Sequence, residues 1–171
     1  SIGMTGKLIC SPDSGKTYLH PGRQADMIYK EDVIGVIGEV HPDIADLYDI
    51  GTKTYIAVID IPVILKHASF DRKYVGVAKY PAVTRDISMV VPKEILAGQI
   101  EEVIEKRGGK LLEEFSLFDI YEGAQIMAGY KSMAYTISFR AKDRTLEEND
   151  VNAAMKKILN GLEEMGIELR K

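Results

Sequence analysis

Cysteine is all but missing from this chain: Cys10 stands alone among 171 residues. A single thiol excludes an internal disulfide and a cysteine-rich zinc site, and it suits a reducing cytoplasm. Long apolar runs are missing too. None approaches the roughly 18–20 residues a membrane span requires, and no cationic-then-apolar leader opens the chain. There is no basic excess either: 22 Lys and Arg face 26 Asp and Glu, for a net charge of −4. Nonspecific nucleic-acid binders need that excess to displace counterions from phosphates. Any nucleic acid bound here is therefore expected to be gripped locally and by shape, with other parts of a complex supplying most of the charge. Common enzyme motifs are absent as well, with no Ser/His/Asp order, Walker loop or His-Glu-x-x-His helix.

What is present suits one average domain or two small ones. Hydrophobic residues at 46% can build a packed core, and charged residues at 28% keep it in solution. The chain opens on Ser1 and not on methionine, as an excised piece would. A boundary is expected between His67 and Lys79, where charges, glycine and aromatics mix without sustained periodicity and Tyr80-Pro81 then opens a new pattern. Before it, Val33 to Val40 reads as a β-branched strand buried on both sides, its glycines packed closely against another backbone. Pro42 suits the first turn of a short helix carrying Ile44, Leu47 and Tyr48. Thr54 to Ile61 reads as a second strand. This part has no complete layered architecture of its own and looks like the tail of a larger domain.

The second part is more legible. Arg85 to Val91 alternates, with Ile87, Met89 and Val91 on one face. A helix over Ala97–Arg107 carries Ile100, Val103 and Ile104, and Gly108-Gly109 ends it. Leu111 to Tyr121 is the next strand. Lys131 to Arg140 alternates strongly, with Met133, Tyr135, Ile137 and Phe139 opposed to Ser132, Ala134, Thr136, Ser138 and Arg140. Thr145 and Glu148 form a Thr-x-x-Glu capping box, and Val151, Ala154, Met155, Ile158, Leu162 and Met165 follow at helical spacing. Gly166 stops that helix before a short strand from Ile167 to Arg170. Strand, helix, strand, strand, helix, strand is the split βαβ, ferredoxin-like order. Each helix has one apolar stripe, so both cover the same sheet face and leave the other open.

Five residues gather on that open face by alternation. Asp119 and Tyr121 are two apart on one strand, with Phe118 and Ile120 expected in the core. Ser88 and Ser132 lie on the same face, and Arg170 joins them if Ile167 and Leu169 face the helices. A ring that can stack a splayed base, a carboxylate that accepts from a base edge and a guanidinium suit single-stranded RNA. On alternation alone, an ordinary solvated sheet face is the better reading.

At Lys79-Tyr80-Pro81-Ala82-Val83-Thr84-Arg85-Asp86 the sequence resembles the opening of the ferredoxin-like anticodon-binding domain of the phenylalanyl-tRNA synthetase family. The resemblance continues in order through Leu117-Phe118-Asp119-Ile120-Tyr121, Gly123, Lys131-Ser132-Met133-Ala134-Tyr135, Phe139-Arg140, Arg144-Thr145-Leu146 and Val151-Asn152. Upstream, His20-Pro21-Gly22-Arg23-Gln24-Ala25 and Ile34-Gly35-Val36-Ile37-Gly38-Glu39-Val40-His41-Pro42 look like the end of the catalytic-like domain of the bacterial β subunit. Two places depart from the pattern: Tyr130 stands where the family often has lysine, and the loop Gly123–Gly129 is unusually apolar.

The resemblance implies an α+β chain. Residues 1–75 would be the tail of a class II synthetase-like antiparallel domain without catalysis, and residues 79–171 a βαββαβ anticodon-binding sandwich. It favours the RNA reading of Ser88, Asp119, Tyr121, Ser132 and Arg170. It implies a cytoplasmic ligase of two α and two β subunits that joins phenylalanine to its tRNA using ATP and Mg2+. This piece would bind the tRNA and do no chemistry; its catalytic and metal residues and its own cofactors are expected to be none, with neither DNA nor membrane as partner. His20 and His41, each before proline, read as local turn residues, and Arg23 as structural or interfacial. Glu147, Glu148, Asp150, Glu163 and Glu164 read as a solvated helix face. The alternative is a small-molecule-binding module resembling ACT domains, which usually have a glycine in the turn where this chain has Pro92-Lys93-Glu94. An acylphosphatase-like reading would want an arginine-bearing phosphate cradle there, and Lys93 is a poor substitute.

Overall fold

Alternation and helical stripes resolve into two compact units, residues 1–75 and 76–171. The computed structural model describes residues 3–69, 71, 74, 76–123 and 125–170; part of the 67–79 linker and Ala124 of the apolar loop fall outside them.

In the first unit, β1 (Leu8–Pro12), β2 (Leu19–Tyr29), β3 (Asp32–Val40) and β4 (Tyr55–Ile59) form an antiparallel sheet in that spatial order. The expected close approach at glycine is present. A Cβ on Gly35 would lie 2.3 Å from the Val58 carbonyl oxygen, so only glycine lets β4 pair there. Burial of β3 on both sides is found only at its end, where Gly38, Glu39 and Val40 are buried in succession; earlier, Ile34 and Val36 are buried but Val33 and Ile37 are exposed. Helix α1 (Pro42–Leu47) follows Pro42 as expected. The second strand ends sooner than Ile61, because Asp60 accepts from the Val63 N–H at 3.1 Å and Pro62 sits in the first turn of α2 (Ile61–His67). Met27, Tyr29 and Ile34 form a small core with Met4, Val63 and Ile64. Lys66 Nζ and His67 Nε2 each lie 2.7 Å from Asp32 Oδ2, joining the end of α2 to the start of β3.

The second unit has the element order β5 (Val83–Pro92), α3 (Ala97–Gly108), β6 (Leu112–Tyr121), β7 (Tyr130–Phe139), α4 (Glu148–Glu163) and β8 (Glu168–Leu169). A short 3-10 turn links α3 to β6. The sheet runs β6-β7-β5-β8 and is antiparallel throughout, the split βαβ arrangement. Ile87, Met89, Val91, Met133, Tyr135, Ile137 and Phe139 share one core with Ile100, Ile104, Val151, Ala154, Ile158 and Leu162. Both helices therefore cover one face. Gly109 adopts φ +66°, which ends α3 at little steric cost. The buried Tyr135 hydroxyl has no hydrogen-bond partner among the described residues; burial, then the charge of Glu101, raises its pKa and keeps it neutral.

Two local expectations give way. The cap of α4 is not Thr145 with Glu148: the helix starts after Glu147, whose N–H donates to Asp150 Oδ2 at 3.1 Å. Arg144 also binds the Asp150 carboxylate through both terminal nitrogens, so the first-turn acid is held from two sides. Phe118 is not in the core either. A bulge between Leu117 and Asp119 shifts the register, so Leu117 faces Tyr135 and Asp119 faces Ala134 while Phe118 has no partner. Phe118 is 58% exposed. Ile120 falls opposite core-facing Met133, as alternation requires, yet is also exposed at this end of the edge strand.

Phe139→Ala should therefore cost about 3–5 kcal/mol in denaturant unfolding of the second unit, and Phe118→Ala no more than about 0.5 kcal/mol. Equal losses would place Phe118 in the core after all. Asp150 supplies a pH test. The Arg144 hydrogen bond, then the Glu147 N–H, holds its pKa below the ordinary 3.8. A carboxyl lowered in the folded state stabilises fully above its unfolded pKa and loses that contribution as pH falls through the folded one. Asp150→Asn should melt earlier than the unsubstituted chain at neutral pH, with the gap closing in acid.

Candidate nucleic-acid interface

The face of the second sheet that no helix covers is ordered by its register. Asp119, Ala134 and Ser88 form one row across β6, β7 and β5; Tyr121, Ser132 and Val90 form the next; Ser116, Thr136 and Asp86 lie on the other side of the first. The Arg170 N–H donates to the Ser88 carbonyl at 2.8 Å, just beyond β8. Leu169 pairs with Met89 of the helix-facing set, so alternation turns Arg170 to the open side. All five residues singled out by the sequence thus come together on one face. The Leu117–Asp119 bulge keeps Asp119 and Tyr121 there while it displaces Phe118.

Ser132 and Ala134 are buried and form a low floor; Tyr121 is 40% exposed and Asp119 is exposed beside it. Small floor residues let a flat ring approach the sheet, and Tyr121 stands at the edge where such a ring could stack. Its seat depends on a residue that alternation could not flag. A Cβ on Gly123 would lie 2.2 Å from the Tyr121 hydroxyl oxygen and 2.5 Å from its Cζ. Nearby loops are tied down: Lys93 pairs with Glu122 at 2.6 Å, and Lys131 Nζ donates to the Ile95 carbonyl at 2.8 Å. At the opposite end, Arg140 Nε donates to Glu113 Oε1 at 2.7 Å, and its Nη1 donates to the Tyr80 carbonyl. The arginine of the Phe139-Arg140 pair is thereby committed to structure.

In the first unit, the motif residues also serve structure. Gly22 N–H donates to His20 Nδ1 at 3.0 Å and Asp43 N–H to His41 Nδ1 at 3.3 Å, both local as expected. Arg23 Nη1 lies 2.9 Å from both oxygens of Glu39, which is buried, and the Tyr55 hydroxyl donates to Glu39 at 2.9 Å. Burial opposes ionisation of Glu39, but the Tyr55 and Arg23 hydrogen bonds outweigh it and hold its pKa below the ordinary value. A recess of about 590 Å³ also lies in this unit, where Val33, Val36, Val58 and Ile59 meet Lys16, Asp26 and Asp60. It lies far in sequence from the open sheet; a flat RNA-binding face needs no such cavity.

Residues 78–170 match the family described as ferredoxin-fold anticodon binding domain. That defines the class of the second unit. Residues 2–61 match the phenylalanyl tRNA synthetase beta chain CLM domain, and the chain belongs to the phenylalanyl-tRNA synthetase beta-chain family. The phenylalanine–tRNA ligase beta subunit of Clostridium tetani is 45% identical over 152 residues, covering 88% of this chain and 19% of its own length. That of Clostridium acetobutylicum is 40% identical over 165 residues, with 96% and 21% covered. That of Bacillus subtilis is 40% identical over 151 residues, with 88% and 19% covered. The chain spans about a fifth of the length of these curated relatives.

Gly123→Ala should move the Tyr121 ring while leaving the sheet intact, because the methyl meets the far end of a side chain and no backbone. Melting should change by no more than about 0.5 kcal/mol, while the Tyr121 ring resonances shift in NMR spectra. Unshifted resonances would show that Gly123 does not seat the ring.

Proposed function

We propose that this chain holds the anticodon of phenylalanine tRNA as part of a phenylalanine–tRNA ligase β subunit. The observation that carries the reading is the gathering of Asp119, Tyr121, Ser88, Ser132 and Arg170 on an open sheet face, inside the segment that matches an anticodon-binding domain. Residues 79–171 are that domain, and residues 1–75 are the tail of the catalytic-like domain.

Each residue has a part to play. Tyr121 stacks a splayed base, a contact that tolerates sequence. Asp119 accepts hydrogen bonds from the donor edge of that base and so discriminates. Ser88 and Ser132 contribute small hydroxyls on the floor, and Arg170 stacks or binds phosphate at the rim. With a net charge of −4, the chain neutralises few phosphates. It acts as one contact among several and raises effective concentration for the rest of the enzyme.

The parent ligase is cytoplasmic, contains two α and two β subunits, and attaches phenylalanine to tRNA with ATP and Mg2+. Among the described residues no three His, Cys, Asp or Glu side chains are grouped to hold a metal. Within that ligase this chain's part is to bind the tRNA.

Tyr121→Ala should weaken binding of the phenylalanine anticodon stem–loop by about 1–3 kcal/mol, with melting little changed because the ring is on the open face. For the unsubstituted chain, log Kd should change little with log salt, since each phosphate contact adds a slope of only about 0.7–0.9. A Tyr121→Ala variant that melts early yet binds RNA normally would mean the two faces have been exchanged.

A further inference from the structure

Asp86 lies on the same open face and has no part in the five-residue set. It is exposed on β5, two residues before Ser88, and directly opposite Thr136 on β7. Thr136 Oγ1 donates to Asp86 Oδ1 at 2.7 Å. That bond restrains the exposed carboxylate through Oδ1, and Oδ2 remains as a second acceptor. The nearby Arg85 guanidinium does not neutralise it but donates to the Thr84 carbonyl at 3.1 Å.

Register separates Asp86 from Asp119. They sit on β5 and β6, the two neighbours of β7, in rows two residues apart along the strands. Two strand spacings give roughly 10 Å across, and two residues give about 7 Å along. One base edge cannot reach both. A second nucleotide next to the one at Tyr121 and Asp119 can, across the low floor formed by Ala134 and Thr136.

An ionised carboxylate only accepts hydrogen bonds, so it repels phosphate and carbonyl oxygens and attracts amino groups. Resting on the anticodon reading above, we propose that Asp86, oriented by Thr136, is a second specificity-determining residue that reads the exocyclic amino group of a neighbouring anticodon base. Adenine, cytosine or guanine, each with an exocyclic amino group, fits this site; uracil, with carbonyls on both sides of its N–H, is disfavoured.

The test is a cycle of substitutions with the 171-residue chain and the phenylalanine tRNA anticodon stem–loop, read by fluorescence anisotropy. In the RNA, each anticodon base with an exocyclic amino group is replaced in turn by the analogue that lacks only that group: purine for adenine, hypoxanthine for guanine, pyrimidin-2-one for cytosine. Asp86→Asn keeps the acceptor for Thr136, so melting should be unchanged. It should weaken the native loop about tenfold and have no further effect on the loop that lacks the amino group at one particular position. Asp119→Asn should couple to a different base. Thr136→Val should produce a smaller loss coupled to the same base as Asp86. The salt dependence of Asp86→Asn should match that of the unsubstituted chain, since no phosphate contact is lost. An equal loss on every loop, or no loss, overturns the proposal while Tyr121→Ala sensitivity leaves the anticodon reading standing. If the unsubstituted chain does not bind the native loop, both readings fall.

Discussion

The second unit depends on the two-residue period of its central strand. Along β7, Met133, Tyr135, Ile137 and Phe139 are buried beneath α3 and α4. Because successive side chains point to opposite faces, that burial sends Ser132, Ala134, Thr136 and Ser138 to the other side. A slip of one residue would put Tyr135 and Phe139 in water and Ser and Thr under the helices. The interaction that stabilises the fold thus also selects the small, polar floor of the candidate RNA face. Both neighbours take their register from this strand, so Ser88, Asp119 and Tyr121 inherit their face from the same core.

The edge strand shows how far this logic reaches. Strict alternation from Asp119 back along β6 would put Phe118 among the helices. The bulge at Leu117–Asp119 absorbs one residue, so Phe115 and Leu117 pack on the core and Phe118 is left exposed. A bulge of this kind cannot be seen in a pattern of apolar residues, since Leu117, Phe118 and Ile120 all satisfy it. Edge strands tolerate bulges because only one side of the ladder is disturbed, and the bulge also makes a long, exposed edge less suited to pairing with another chain.

In the first unit the constraint is close backbone approach together with one buried charge. Gly35 lets β4 pair closely with β3. Glu39 on the same strand is buried, and hydrogen bonds from Tyr55 and Arg23 favour its ionised form against that burial. Removing either partner would leave a buried charge less well compensated, which explains why these polar residues belong to the architecture. The glycine requirement was legible from a β-branched run broken by Gly35 and Gly38. The ion pair was not, because Arg23 and Glu39 are sixteen residues apart and their contact follows from strand register.

By itself the sequence determined the element order of the second unit, its two helical stripes and the sides of its regular strands, because these follow from periods of 3.6 and 2 that local chemistry enforces; β1, β2 and α2 of the first unit carry no such clear period and emerge only in the structure. It also carried the ordered motifs by which the chain resembles its family. Tertiary structure alone decided where regularity breaks and what lies across a gap in sequence. The bulge that exposes Phe118, the Asp150 cap that replaces Thr145, the Gly123 seat under Tyr121 and the Thr136 bond to Asp86 all depend on neighbours brought together by register and packing. No local propensity encodes such contacts, since each is set by the meeting of segments distant along the chain or by a turn whose geometry those segments impose.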